Sequence, residues 1–235
     1  MKGRILVSGA SRGLGQELVK KYLELGYEVF ACVRSFGKEQ FGDLKERFGD
    51  ALQVVVMDVA STESVESAAG MVKSKTPELD MIINNAAIYP EGGLKVLEEL
   101  DVDNFNKTYN INTLGALRVA KEFAGLLGKG SMKTLVNISS EAGSIGSCNR
   151  EKEFDYCMSK AALNMESVIL QNYLGKRGIK VLALHPGWIR SDMGGPEADL
   201  SVEEAAGYVM GVVDRYRKDL SGPVYLDYKG SILKY

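Results

Sequence analysis

Ile5-Leu6-Val7-Ser8-Gly9-Ala10-Ser11-Arg12-Gly13-Leu14-Gly15 runs from a continuously apolar segment into a glycine-punctuated turn, and an amphipathic helical pattern comes after it. A strand feeding a helix through such a turn leaves free backbone N–H groups and a positive dipole end at the helix start, where a pyrophosphate can sit. In that arrangement Gly9 permits the turn, Gly13 lets a phosphate approach closely, and Gly15 lets the helix pack tightly. The chain holds 26 glycines, so a ligand-free Gly-rich turn is the competing reading for the loop on its own.

Outward from this unit, short β-branched runs alternate with helix-length stretches: strands are predicted near 4–8, 27–33, 52–57, 79–84, 132–139, 179–184 and 223–227. Ile5-Leu6-Val7, Val54-Val55-Val56 and Met81-Ile82-Ile83 are apolar throughout, as expected of strands covered on both faces of a parallel sheet. The predicted fold is α/β: a Rossmann fold, a doubly wound parallel sheet of about seven strands flanked by helices. No Pro-rich, Ser-rich or charge-block linker divides it and no repeat recurs, so residues 1–235 read as one domain. Ligands of such sheets bind beyond the carboxyl ends of the strands, where the strand order reverses.

Composition narrows the partners. At 235 residues, 45% hydrophobic and 26% charged, the chain can bury a substantial core. Its net charge of −2 comes from interspersed acids and bases, which offers no basic face to nucleic acid. Ile5-Leu6-Val7 is too short for a signal peptide, and no run approaches the ~20 apolar residues of a membrane span, so a cytoplasmic protein is expected. Cys32, Cys148 and Cys157 are odd in number and lack metal-ligand spacing, which suits reduced thiols and no metal site. The sequon Asn137-Ile138-Ser139 lies in a strand-like run and reads as structural.

The spacing Gly9-x-x-x-Gly13-x-Gly15 resembles the short-chain dehydrogenase/reductase family. The resemblance continues through Asn84-Asn85-Ala86-Ala87, Asn112-Thr113-Leu114-Gly115, Ser139-Ser140, Tyr156-x-x-x-Lys160 and Pro186-Gly187, in the family's order. Tyr156 to Asn164 and His185 to Met193 are most similar to the sniffer and C-factor branch of carbonyl reductases. Ala87 stands where the family motif has glycine, and Ser191 where threonine is commoner. The resemblance implies a cofactor site built from Gly9, Ser11, Arg12, Gly13, Leu14, Gly15, Asp58, Val59, Asn85, Ala86, Tyr156, Lys160, Pro186, Gly187, Ile189 and Ser191. It also implies pairing of the helices bearing Asn112 and Tyr156 in a homo-oligomer, a dimer or tetramer, with Gly115, Ala116, Ala161 and Ala162 allowing close packing.

Charge after the second predicted strand bears on cofactor choice. Val33 occupies the position where a carboxylate would hold a ribose 2′-hydroxyl, while Arg34 comes next and Arg12 lies in the Gly loop. Two guanidinium groups suit a 2′-phosphate, which predicts NADP(H) over NAD; two solvated surface arginines are the alternative. Asp58 reads either as part of an adenine pocket or as a helix cap.

Tyr156 and Lys160, four apart, share a helix face. A phenol with an ordinary pKa of about 10 is a poor acid-base group at neutral pH, and a neighbouring ammonium is expected to lower it. By the resemblance, Ser140 is expected to hold the same carbonyl oxygen that Tyr156 protonates. Asn112 places an amide inside the apolar stripe Phe105, Tyr109, Ala116, Val119 and Phe123; it is either a satisfied core amide or, by the resemblance, part of a proton relay to Lys160. His185, the single histidine, argues against Ser-His-Asp hydrolysis and reads as structural. Residues 144–155 read as a solvated loop or a substrate gate, and 188–200 as a mobile lid. Two functions stand: an NADPH-dependent reductase of a small carbonyl compound (or the reverse alcohol oxidation), and a nucleotide-binding signalling protein with the same fold and little turnover.

Overall fold

A computed structural model describes residues 2–35, 37 and 41–235. Seven parallel strands form one sheet: β1 (Arg4–Ser8), β2 (Glu28–Val33), β3 (Leu52–Val56), β4 (Met81–Asn84), β5 (Thr134–Ile138), β6 (Lys180–Leu184) and β7 (Tyr225–Leu226), in the order β3-β2-β1-β4-β5-β6-β7. Helices α1 (Gly13–Glu24), α2 (Gly42–Phe48), α3 (Thr62–Lys75), α4 (Phe105–Asn112), α5 (Leu114–Leu127), α6 (Phe154–Leu174) and α7 (Val202–Tyr216) connect them. All seven predicted strands are present, most of them a residue or two shorter than the apolar runs that announced them.

Alternation along each strand divides the core. Ile5 and Val7 face a layer formed with Leu14, Leu18 and Tyr22 of α1 and Val209 and Val213 of α7. Leu6 faces the opposite layer, with Val65 and Val72 of α3 and Val119 and Phe123 of α5. Both faces of β1, β4, β5 and β6 are therefore covered, as their unbroken apolar sequences require. Val54-Val55-Val56 is the exception: β3 is an edge strand and Val56 is 52% exposed, so its apolar run reflects β propensity rather than two-sided burial.

Strand order reverses between β1 and β4, which places the switch-point crevice beyond Ser8 and Asn84. The sequon residue Asn137 is fully buried there; it accepts from Asn84 Nδ2 at 2.9 Å and donates to Ser167 Oγ at 2.9 Å. Its role is structural, as expected.

Candidate active site

The glycine loop is held by the chain that leaves β4. Asn85 Nδ2 donates to the carbonyls of Ser8 and Gly9 at 3.2 and 3.0 Å, and Ser8 Oγ accepts from the N–H groups of Asn85 and Ala86. Gly9 has φ +64°, and a Cβ there would meet Ala86 Cα at 2.7 Å. A Cβ on Gly15 would lie 2.3 Å from the Gly9 carbonyl oxygen. Gly13 differs: its φ is +55°, yet the nearest neighbour of an added Cβ, Ser191 Cβ, is 4.0 Å away. Close packing accounts for Gly9 and Gly15, whereas a methyl on Gly13 would only touch Ser191 at van der Waals distance.

Helix α1 begins at Gly13. No acidic residue occupies its first turn and Arg12, at the N-cap, makes no side-chain cap, so its positive end meets no neutralising carboxylate of its own. A phosphate group fits this cradle, with the hydroxyl of Ser191 across from it. Arg34 is exposed at the C-terminal end of β2 and makes no ion pair among the described residues. Arg12 is instead ion-paired with Asp192, which ties the glycine loop to segment 188–200.

That segment is closed on itself. Ile189 and Leu200 form a parallel bridge, Arg190 Nη1 donates to the carbonyls of Ala198 and Asp199, and Trp188 Nε1 donates to Gly194 O at 2.8 Å. Gly187, at φ +88°, makes the turn beneath it after Pro186; a Cβ there would stand 2.5 Å from Leu200 Cδ1. The expected lid is thus a loop with a stitched neck.

Asp58 does not cap α3. Ser61 does, accepting from Ser64 N at 3.2 Å, while Asp58 Oδ1 accepts from Ala60 N at 2.9 Å. This removes the capping alternative. Val59 is buried, and a Cβ on Gly115 would stand 2.9 Å from its Cγ2. Gly115 and Ala116 are buried within the chain, so the small size of Gly115 serves an internal contact and not the packing between subunits expected of it.

Ser140 follows β5 by two residues, and Tyr156 and Lys160 lie on the first turns of α6. The Ser140 hydroxyl accepts from Ala142 N at 3.2 Å, and its own carbonyl accepts from Tyr225 Oη at 2.6 Å. Lys160 is buried, donates from Nζ to Ile138 O at 2.9 Å, and holds that nitrogen 5.7 Å from the centre of the Tyr156 ring. Burial pushes the Lys160 ammonium down to about 8. Burial also pushes the Tyr156 phenol up to about 12, against the lowering contribution of Ser140 and with a further raise from Glu153. Desolvation is the largest influence on the phenol in this structure, and it opposes the lowering expected of the Lys160 ammonium.

Asn112 is a fully used amide. Its Oδ1 accepts from Ile88 N at 2.8 Å, and its Nδ2 donates to Ile88 O at 3.0 Å and Ser159 Oγ at 3.1 Å. The predicted single stripe breaks beside it, because Thr113 leaves helical geometry between α4 and α5 and donates from Oγ1 to Ser159 O at 2.9 Å. Asn112 therefore ties the loop after β4 to the helix of Tyr156. His185 lies at the end of β6, where its N–H donates to Leu226 O at 2.9 Å; burial holds its imidazole below the usual range.

Two participants escaped the sequence reading. The rings of Tyr89 and Tyr156 lie 5.2 Å apart, and Tyr89 Oη donates to Glu153 Oε1 at 2.9 Å. Position 89, a few residues beyond β4, was a signal available in the sequence, since that edge is where ligands bind; nothing local marks Glu153.

A doubly wound sheet with an anion cradle at its switch point and a Ser-Tyr-Lys cluster beside it defines a nucleotide-binding oxidoreductase architecture. The short chain dehydrogenase family model matches residues 4–200, and the chain belongs to that family of oxidoreductases. It is 33% identical over 156 residues to the C-signal of Myxococcus xanthus, covering 66% of this chain and 92% of that protein. Among solved structures it is similar to the NADPH-bound carbonyl reductase from chicken fatty liver, at TM-score 0.88 and 29% identity over 99% and 98% of the two chains. It is also similar to the carbonyl reductase Sniffer of D. melanogaster, at TM-score 0.91 and 25% identity over the full length of both.

Proposed function

We propose that this protein is an NADPH-dependent reductase of a ketone or aldehyde, with Tyr156 as the proton donor. The observation that carries this is the convergence of Ser140, Tyr156 and Lys160 at the same edge of the sheet as the Gly13 cradle, linked to it through Asn85, Ile88 and Asn112. NADPH, when bound, supplies the hydride. Gly9, Ser11, Arg12, Gly13, Leu14 and Gly15 would hold its pyrophosphate side, Arg34 and Arg12 the 2′-phosphate, and Asp58 and Val59 the adenine. Asn85, Ala86, Pro186, Gly187 and Ile189 would line the nicotinamide end, and Ser191 would contact a phosphate. Support for the phosphate placement comes from Gly13, where an added methyl meets no close packing, and from the uncapped start of α1.

The chain's own part is proton handling. The Ser140 hydroxyl donates to the carbonyl oxygen and holds it beside the phenol. Tyr156, in its protonated form, gives its proton to that oxygen as negative charge develops there. Burial favours the protonated phenol, the form that a proton donor in reduction requires. Lys160, whose Nζ is 5.7 Å from the ring, restrains the phenolate that remains. Asn112 fixes the loop bearing Tyr89 against α6, and a relay role at this position would add to that anchoring.

The signalling alternative accounts for the cradle but gives a buried lysine beside the Tyr156 phenol no task. The test is NADPH oxidation against a panel of ketones and aldehydes, wild type beside Tyr156→Phe. Turnover that the variant loses supports the reading; NADPH binding with no turnover on any compound favours the sensor.

The reading extends to assembly and location. Met158, Met165, Ile169 and Tyr173 of α6 and Leu114 and Leu117 of α5 are exposed, and they are the surface we assign to a homo-oligomer contact, measurable by light scattering. Among the described residues no helix is long and apolar enough to cross a membrane, and a cytoplasmic place is the expectation from sequence.

A further inference from the structure

Segment 144–155 breaks local rules at one point. Glu153 sits at the N-cap of α6 with φ +65°, a left-handed conformation uncommon for a residue with a Cβ, and its side chain does not cap the helix. A serine, threonine or asparagine would serve a cap better, and a glycine would remove the strain. The carboxylate is used elsewhere: it accepts from Tyr89 Oη at 2.9 Å and is ion-paired with Arg150, which also pairs with Glu141, next to Ser140. Glu153 N–H completes the tie by donating to Gly93 O at 2.9 Å, on the Tyr89 loop. The partner of the Tyr89 hydroxyl, Glu153, is thus itself held by Arg150 and Gly93.

That phenol has nothing to do in the proton chemistry. Its ring lies 5.2 Å from that of Tyr156 at an interplanar angle of 53°, and its hydroxyl is committed to Glu153, so what it offers beside the reacting tyrosine is an aromatic face. Residues held in a costly conformation by a surrounding network mark places where position matters. We propose that Tyr89 is a specificity-determining residue, clamped by Glu153 and Arg150 as a wall of the carbonyl site, and that it favours substrates carrying a flat aromatic group next to the carbonyl. The inference rests on the reductase reading for the site and goes beyond it in naming the substrate class.

The test compares benzaldehyde with hexanal as substrates of the intact protein with NADPH, in wild type, Tyr89→Leu, Tyr89→Phe and Glu153→Gln. Loss of an aromatic contact changes discrimination by about three- to tenfold. The benzaldehyde-to-hexanal ratio of kcat/KM is expected to fall by that factor in Tyr89→Leu, and by less in Tyr89→Phe and Glu153→Gln, which keep the ring but loosen its clamp. Thermal unfolding identifies a variant that fails to fold, in which case Tyr89→Phe and Glu153→Gln decide. A ratio unchanged in every folded variant overturns the proposal. Should wild type reduce neither aldehyde, binding of benzamide in the presence of NADPH is measured by calorimetry in the same variants: affinity that falls with Tyr89→Leu keeps the wall while the reductase reading fails, and equal affinities overturn both.

Discussion

Replacing Gly13 and Gly15 separately by alanine separates two jobs that the glycine loop performs. At Gly15 the new methyl would lie 2.3 Å from the Gly9 carbonyl oxygen and 2.5 Å from Asn85 Nδ2, atoms fixed by the strand and by hydrogen bonds to Ser8 and Gly9. Relieving that overlap moves backbone, at a cost of about 2–3 kcal/mol. At Gly13 the nearest atom is 4.0 Å away, and the only cost is an alanine at φ +55°, about 1 kcal/mol. For a domain of this size 1 kcal/mol lowers Tm by roughly 2–4 °C, so Gly13→Ala is expected to melt about 3 °C lower and Gly15→Ala about 6–10 °C lower. Nucleotide binding should respond in the opposite order. A methyl at position 13 occupies the space assigned to the phosphate and displaces it from charge-assisted hydrogen bonds worth about 1.5–3 kcal/mol, which is about a 10- to 150-fold loss in NADPH affinity. Calorimetric unfolding and fluorescence titration with NADPH measure the two quantities on the same samples. An affinity within twofold of wild type in Gly13→Ala would refute the placement of phosphate at this loop.

Tyr156→Phe keeps the ring contact with Tyr89 and removes the proton; kcat for carbonyl reduction is expected to fall by about 10²–10⁴, with NADPH affinity within a fewfold of wild type. Arg34→Ala should weaken NADPH by about tenfold and leave NADH nearly unchanged, and equal losses for both nucleotides would remove the 2′-phosphate assignment. Glu166 of α6 is buried with neither carboxylate oxygen hydrogen-bonded, and burial raises it from 4.5 to about 8. Between those values the folded chain keeps a proton that the unfolded chain releases, so stability falls as pH rises from about 4.5 through 8. Glu166→Gln should abolish that slope, giving a variant whose Tm advantage over wild type grows from about pH 5 to about pH 8.

The fold was legible because it is written in short-range grammar. Ile5-Leu6-Val7, Met81-Ile82-Ile83 and Val181-Leu182-Ala183-Leu184 are buried on both faces of a parallel sheet, and apolar side chains at successive positions announce that. The same rule misjudged Val56, whose exposure depends on β3 being an edge, a fact of strand order and not of local sequence. At the site, residue types and spacing pointed to Ser140, Tyr156 and Lys160, but not to their electrostatics. Whether Tyr156 is raised or lowered depends on how much water the packed protein removes from it, and the partners that satisfy the Asn112 amide, Ile88 and Ser159, come from segments that its own helix pattern does not name. The Tyr89–Glu153 and Arg12–Asp192 contacts join residues 64 and 180 positions apart, beyond the reach of any spacing rule.

Asn84 and Asn137, paired at 2.9 Å across adjacent strands, mark a boundary in the division of labour along the chain. On the reductase reading, the residues before Asn84, from the glycine loop to Asp58, would serve the nucleotide, while Ser140, Tyr156 and Lys160 after Asn137 would meet the carbonyl compound and the loop at Gly187 would reach back to the nicotinamide. The two halves share one core, with α1 packed on α7 and Arg12 paired with Asp192. Substitutions that retune what is reduced would therefore accumulate around Ser140 and Tyr156, away from the seam that both halves need.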